Sequence, residues 1–167
     1  MRKIPNIAKI TVAAAAVSAF AGPAWAAGCA LQDEIMALDT RVLQSELVVA
    51  ALHCGHSGPY NAFVRKFEPV LVADGVAFRN YFNRIYGPHG EQVMDETVTR
   101  LANYAEMRSW TLGTSYCANA AAVFGTLLSL DTSQLAIFAR SRPYVRDHGV
   151  EPCAVEAAAP AAAQPSP

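Results

Sequence analysis

From residue 31 onward, apolar side chains recur at spacings of three and four, which is the pattern of one face of an α-helix. The first such stripe covers about six helical turns. It contains Leu31, Ile35, Leu38, Val42, Val49 and Leu52. Asp33 and Glu34 fall in its first turn, where negative charge is favourable at a helix amino terminus. Cys54 and Gly55 follow the last periodic residue, so the helix is predicted to stop there.

A second apolar stretch begins at Tyr60 and is rich in Phe and Tyr. Pro69 lies inside it and lacks the amide that a helix would use in the preceding turn. We therefore expect either a kinked helix or two helices, over 60–68 and 69–86, ended by Gly87 and Pro88. This aromatic-rich segment is predicted to form the centre of the core.

Three more helices are predicted after this stretch. The segment 92–108 has a polar face that is expected to contact solvent. Its apolar pattern is made by Val93, Met94, Val98, Leu101, Ala105 and Met107. The segment 115–130 is rich in Ala, with Thr114 or Ser115 as its N-cap. Another helix starts at 131–133 and stops at Pro143. No strand-like alternation is convincing, so we predict an all-α fold, a five- or six-helix up-down bundle.

The two ends of the chain are unlike its centre. Residues 1–26 combine early positive charge, an apolar run and the "AWA" cleavage pattern of a secretory signal peptide. Residues 155–167 repeat Ala and Pro and are predicted to be disordered. The folded domain is thus predicted over 27–154. Cys29 also follows small residues, as in a lipoprotein signal, but Ala26 stands where that motif usually has Leu, so a lipid anchor is the less favoured alternative.

Four cysteines in an exported chain are interpreted first as two disulfides. They allow three pairings, and alternating helix directions rank them. Cys54 ends the first helix and Cys117 starts the fourth, at the same end of an up-down bundle. We therefore predict a disulfide between Cys54 and Cys117. Cys29 and Cys153 would then join the start of the domain to its end.

The charge balance changes the picture of possible partners. The full chain has 13 Lys and Arg against 14 Asp and Glu, and removal of the signal peptide leaves 10 against 14. Lys66 is then the only lysine. A mildly acidic chain of this kind is not suited to nucleic acid as its main partner. Nothing after the signal peptide predicts a membrane-spanning segment.

His53, Cys54 and His56 lie within four positions and have the residue types of a zinc or copper site. Gly55 separates them, however, and a cysteine in a disulfide is no metal ligand. We favour a helix end with one half of a disulfide, and keep a metal site at His53 and His56 as the alternative. No cofactor is predicted.

A second group of polar side chains lies among large aromatic residues. It consists of Tyr81, Asn83, Arg84, Arg100 and Asn103. Such residues usually satisfy buried backbone groups, so a structural network is the first interpretation and a ligand-binding set the second. In the second, Tyr81, Arg84, Tyr86 and Arg100 would line a pocket. The chain has no Gly-x-Ser-x-Gly nucleophile elbow, and no catalytic residue can be assigned.

The segments "YNAFVRKFEPVL", "YFNRIYG" and "ETVTRLAN" resemble recurring segments of a group of small exported bacterial helical proteins. Some members of that group carry the name S-adenosyl-L-homocysteine hydrolase. The enzyme so named is a long chain with a nicotinamide-binding Gly-x-Gly-x-x-Gly motif, which this chain lacks. The resemblance therefore implies the helical architecture of the group and not that activity.

Taken together, these patterns favour a periplasmic or secreted helical protein without enzymatic activity. Its predicted role is to interact with another envelope protein or to serve as a structural module there. The alternatives are a small ligand- or metal-binding protein, and a hydrolase with a pocket around Tyr81, Arg84 and Arg100.

Overall fold

The structure is a computed structural model that describes residues 28–154. The signal peptide predicted over 1–26 and the tail predicted over 155–167 lie outside the described residues. Within them, five α-helices follow one another. They are α1 (Gln32–His53), α2 (Ser57–Tyr86), α3 (Gly90–Leu112), α4 (Thr114–Ser129) and α5 (Leu135–Arg140). Short 3₁₀ turns occur at Gly87–His89, Thr132–Gln134 and Val145–His148. The all-α prediction is confirmed.

Helix α2 runs through Pro69 without a break, so the alternative of two separate helices is wrong. Proline removes one hydrogen bond from the preceding turn and crowds its carbonyl. Pro69 is exposed, so water can satisfy the carbonyl that lost its partner. Buried Phe63 and Phe67 before Pro69, and Phe78 after it, hold the helix against the rest of the domain. Packing of aromatic side chains on both sides outweighs the local cost.

The turn between α3 and α4 is a single glycine. Gly113 has a φ of +52°, a left-handed conformation that residues with a Cβ atom rarely adopt. It both ends α3 and precedes α4, and no side chain caps α4. The predicted N-cap role of Thr114 or Ser115 is therefore wrong. The Ser115 hydroxyl instead donates a hydrogen bond back to the carbonyl of Leu112, at 2.7 Å.

Helix α1 is the centre of the domain, because it contacts all four of the other helices and the last 3₁₀ turn. The predicted stripe is only part of its buried surface. Glu34, Asp39 and Glu46 are buried together with the apolar residues. Leu52, a member of the predicted stripe, is exposed at the carboxyl end of the helix. The pattern thus predicted the extent of α1 but not that the helix is enclosed on most sides.

Two apolar clusters pack against successive halves of α1. One joins its carboxyl half to the first half of α2, to α4 and to α5. Its largest members are Leu43, Leu47, Phe63, Phe67, Phe124 and Leu135. The other joins the amino half of α1 to the end of α2 and the start of α3, and includes Ile35, Leu38, Phe78, Tyr81 and Phe82. The aromatic residues of α2 therefore contribute to both clusters, as predicted for the core.

Both predicted disulfides are confirmed. Cys54 pairs with Cys117 across a Cα–Cα distance of 5.5 Å, and Cys29 pairs with Cys153 across 4.8 Å. The second bridge lies beside a short backbone pairing, in which the N–H of Cys153 donates to the carbonyl of Ala30 at 2.8 Å. The two ends of the domain are thus joined by a covalent bond and by main-chain hydrogen bonds. Disulfides of this kind fit a protein outside the cytoplasm.

The two bridges close loops of different length, so their removal should have different costs. The sequence separations are 124 for Cys29–Cys153 and 63 for Cys54–Cys117. In the chain-entropy model each bridge contributes roughly 4 kcal/mol, and a doubling of loop length adds about 0.6 kcal/mol. We predict that Cys29→Ser/Cys153→Ser lowers the free energy of unfolding more than Cys54→Ser/Cys117→Ser, as measured by denaturant unfolding. Thiols that react in the purified chain under denaturing, non-reducing conditions would contradict the disulfide framework itself.

Candidate functional site

The predicted polar group on α2 and α3 is only partly brought together. Tyr81, Tyr86 and Arg100 line one cavity of about 450 Å³, together with His148 and Glu151. This arrangement matches part of the pocket expected from the sequence. Whether it binds a ligand stays a prediction.

The two asparagines of that group lie elsewhere. Asn83 is exposed, and its Oδ1 lies 2.8 Å from the position that a Cβ atom on Gly90 would take. It therefore belongs to the close approach between α2 and the start of α3. Asn103 lies beside Arg100 in a shallow groove on the outer surface of α3, with Glu96 and Tyr104.

Arg84 does not line this cavity and is bound instead by the buried carboxylate of Glu34. Its Nε donates to Glu34 Oε1 at 2.9 Å, and Nη2 donates to the carbonyl of Cys29 at 2.9 Å. A further short contact joins Nη2 to Glu34 Oε2, which also accepts the backbone N–H of Leu31 at 2.8 Å. The Glu34 side chain is 4% exposed and that of Arg84 is 38% exposed. Arg84 thus neutralises the Glu34 carboxylate in the first turn of α1.

Tyr81 has a similar structural role. Its hydroxyl donates to the carbonyl of Gly28 at 3.1 Å, and the residue is 2% exposed. Burial raises the pKa of Tyr81 to about 12; Tyr86 and Glu34 act in the same direction, and Arg84 opposes them. The phenol therefore stays protonated at neutral pH and anchors the start of the domain to α2.

His53 and His56 are separated by the end of α1. The His53 ring makes edge contacts with Trp110 and Tyr116, at centroid distances of 5.7 and 6.2 Å. The His56 ring packs edge-on to Phe124, at 5.9 Å. Cys54 between them is bonded to Cys117 and is no ligand. Within residues 28–154, no three His, Cys, Asp or Glu side chains are grouped as a metal would require.

Sequence reasoning missed the buried pair formed by Asp39 and His148. Arg140 Nε donates to Asp39 Oδ2 at 3.1 Å, and His148 Nε2 lies 3.1 Å from Asp39 Oδ1. The backbone N–H of Val150 donates to His148 Nδ1 at 3.0 Å. Because Nδ1 accepts, the hydrogen of the neutral ring must lie on Nε2 and point to Asp39. This pair fixes the final 3₁₀ turn against α1.

A third buried carboxylate, Glu46, was also missed. Arg108 donates from Nε and Nη2 to Glu46 Oε1, and from Nη1 to Asp147. The Tyr116 hydroxyl donates to Glu46 Oε2 at 3.0 Å. Burial raises the pKa of the Glu46 carboxyl, against the opposing effect of Arg108. The cluster joins α1, α3, α4 and the last 3₁₀ turn. No local sequence signal could have found it, because its members are far apart in the chain.

The most exposed apolar feature of α3 is a row of three side chains, which we call the α3 ridge: Tyr104, Met107 and Trp110. They are 36%, 62% and 71% exposed. Residues three apart on a helix are neighbours on its surface, so the three side chains form a continuous row. Met107 was predicted to belong to the apolar pattern of α3, and its exposure corrects that prediction. The buried face of α3 is formed instead by residues that include Leu101 and Ala105.

These features define an all-α domain with two disulfides and internally neutralised buried carboxylates. Comparisons with protein-family models, with curated proteins and with solved structures found no match. Among residues 28–154, none of the helices combines the length and apolar character needed to cross a lipid bilayer.

The pairing of Arg84 with Glu34 can be tested by removing one partner and then both. Arg84→Met leaves a buried carboxylate without its cation, which costs about 3–5 kcal/mol in buried pairs; partial exposure of Arg84 places the expected loss at the lower end. Adding Glu34→Gln should recover a large part of it. Denaturant unfolding measures both, and Arg79→Met, at an exposed site on the same helix, is the matched control. Equal losses from Arg84→Met and Arg79→Met would contradict the role given to Arg84.

The raised pKa of Tyr81 predicts a loss of stability at alkaline pH. The unfolded phenol ionises near pH 10 and the folded one near pH 12, so the folded state keeps the proton more tightly. Its contribution is complete below about pH 10 and is lost as the pH rises towards about 12. Tyr81→Phe should therefore make the fall in free energy of unfolding between these pH values less steep. Identical slopes for the variant and the original chain would refute the assignment.

Proposed function

We propose that this protein is a non-enzymatic interaction module of the bacterial cell envelope, located in the periplasm, which binds another envelope protein through the α3 ridge. The single observation that carries the proposal is the exposure of Tyr104, Met107 and Trp110 in one continuous row. Large apolar side chains grouped on a surface mark interaction sites. Tyr, Trp and Met are also enriched in protein interfaces.

The support around Trp110 suits such a role. Its ring packs edge-on against His53 at the carboxyl end of α1, so the indole is held in place while 71% of the residue remains exposed. A rigid, exposed aromatic side chain loses little conformational entropy on binding, and such residues often dominate the binding energy of an interface. Met107 beside it can adapt to the shape of a partner.

The internal polar clusters also favour binding over catalysis. Glu34 and Asp39 are each neutralised by an arginine from a distant helix, and both carboxylates are buried. Groups held in this way stabilise the fold and are not presented to a substrate. The disulfides and the rigid helical framework supply a stable support for a surface.

Photo-crosslinking in intact cells tests the proposal directly. With a benzophenone amino acid at position 107, we expect one discrete covalent adduct with a different envelope protein. Adding Trp110→Ser should reduce that adduct strongly, because it removes the principal anchor of the ridge. Val72, an equally exposed apolar residue on α2, is the matched control position and should give no such adduct.

The alternatives have distinct outcomes. Equal crosslinking from positions 107 and 72 would show that the ridge has no special affinity. An adduct made only of two copies of this chain would replace the envelope partner by self-association. Either result would refute the proposal as stated.

A further inference from the structure

A cavity of about 380 Å³ lies between α1, α3, α4 and the segment that follows α5. One part of its wall is apolar and is formed by Leu47, Ala50, Leu112, Ala120 and Val123. The volume is near the lower end of the range for small-molecule sites. None of the α3 ridge residues lines this cavity, and it is distinct from the cavity around Tyr81.

The polar part of the wall contains three charged side chains: Glu46, Arg108 and Arg142. Glu46 is neutralised by Arg108 and by the Tyr116 hydroxyl. Arg108 is bonded to two carboxylates, Glu46 in the lining and Asp147 behind it, so these three side chains together with Arg142 carry no net charge. Arg142 itself makes no ion pair within residues 28–154, so it is the cation of the lining that an anionic ligand can pair with.

Arg142 retains unused donors. Its Nε has no hydrogen-bond partner among the described residues but is buried out of reach of a ligand, so the two Nη groups are the donors that a ligand can use. Its Nη2 donates a hydrogen bond to Ser141 Oγ at 3.0 Å. The guanidinium stacks over the Phe138 ring at 4.2 Å, which fixes its position. A planar guanidinium with unused donors is suited to bind a carboxylate with two hydrogen bonds.

Tyr144 also lines the cavity and carries a second hydrogen-bond donor, its hydroxyl. Burial raises the pKa of its phenol to about 12, and the nearby Glu46 carboxylate acts in the same direction. The hydroxyl therefore stays protonated and can donate. The Tyr144 hydroxyl donates no hydrogen bond within residues 28–154, so a ligand carboxylate could accept one from it without breaking an existing bond.

We propose that this cavity binds a small monocarboxylate with an apolar body, such as a medium-chain fatty acid or an arylacetic acid. The carboxylate contacts Arg142 and Tyr144, and the apolar body lies between Leu47, Leu112 and Val123. A cationic ligand does not fit the lining, because the Glu46 carboxylate is already neutralised. A dicarboxylate or phosphate ester would place additional charge against the apolar wall.

Calorimetric titration of the purified, disulfide-bonded chain tests this site with octanoate, octanamide and octylamine. We expect saturable binding of octanoate, with octanamide at least about tenfold weaker, since a charge-assisted pair is much stronger than its neutral counterpart, and no binding of octylamine. Arg142→Gln should weaken the binding of octanoate by a similar factor and leave the binding of octanamide nearly unchanged. Arg146→Gln, at an exposed arginine outside the cavity, is the matched control and should leave octanoate binding unchanged.

A second variant separates binding in the cavity from binding elsewhere. Ala122 lines the cavity but is exposed, so Ala122→Phe can obstruct it without changing the core. It should abolish octanoate binding while the helical circular-dichroism spectrum and thermal midpoint stay as before. The proposal is overturned if octanoate does not bind the original chain, if octanamide binds equally well, or if binding survives both Arg142→Gln and Ala122→Phe.

Discussion

The structure depends on three carboxylates buried along one helix. Glu34, Asp39 and Glu46 all belong to α1 and are between 2% and 5% exposed. A buried carboxylate without a cation is strongly unfavourable. Each of the three is paired with an arginine from a different helix: Arg84 in α2, Arg140 in α5 and Arg108 in α3. The stability of α1 in the core therefore requires the other segments to dock in one arrangement.

This constraint also explains where the candidate functional surfaces lie. Arg108 turns inward to reach Glu46, together with the buried face of α3 formed by Leu101 and Ala105. With 3.6 residues per turn, Met107 must then lie on the outer side of α3, and Trp110 follows three residues later, where its ring contacts His53 at the carboxyl end of α1. The same inward arginine neutralises Glu46 at the wall of the cavity, where Arg142 makes no ion pair within residues 28–154. One ion pair thus organises both the exposed ridge and the polar part of the cavity.

Local sequence signals were sufficient for the helices and the disulfides. Apolar spacing gave the extent of α1, and the positions of Cys54 and Cys117 at helix ends gave their pairing. The ion pairs could not be predicted in this way. Glu34 and Arg84 are 50 residues apart, and Asp39 and Arg140 are 101 apart, so their meeting depends on how the helices pack. Glu34 in the first turn of α1 looks like an ordinary dipole-stabilising residue in the sequence.

The candidate site shows the same division. Tyr81 and Arg84 were predicted first as a structural network, because polar residues among aromatic ones usually satisfy buried groups; in the structure, Tyr81 bonds Gly28 and Arg84 bonds Glu34. The exposure of Met107 could not be predicted, since an apolar residue at helical spacing is more often buried. The cavity near Arg142 is formed by four separate segments and has no counterpart in any short motif.

Native-state hydrogen exchange measured residue by residue tests the central role of α1 most directly. If the three buried carboxylates bind the other segments to this helix, amides over 38–47 can exchange only when the whole domain unfolds. Their exchange free energies should then equal the global free energy of unfolding and be the highest in the domain. Exchange of these amides through local opening, at lower free energy than those of α2 and α3, would contradict the account.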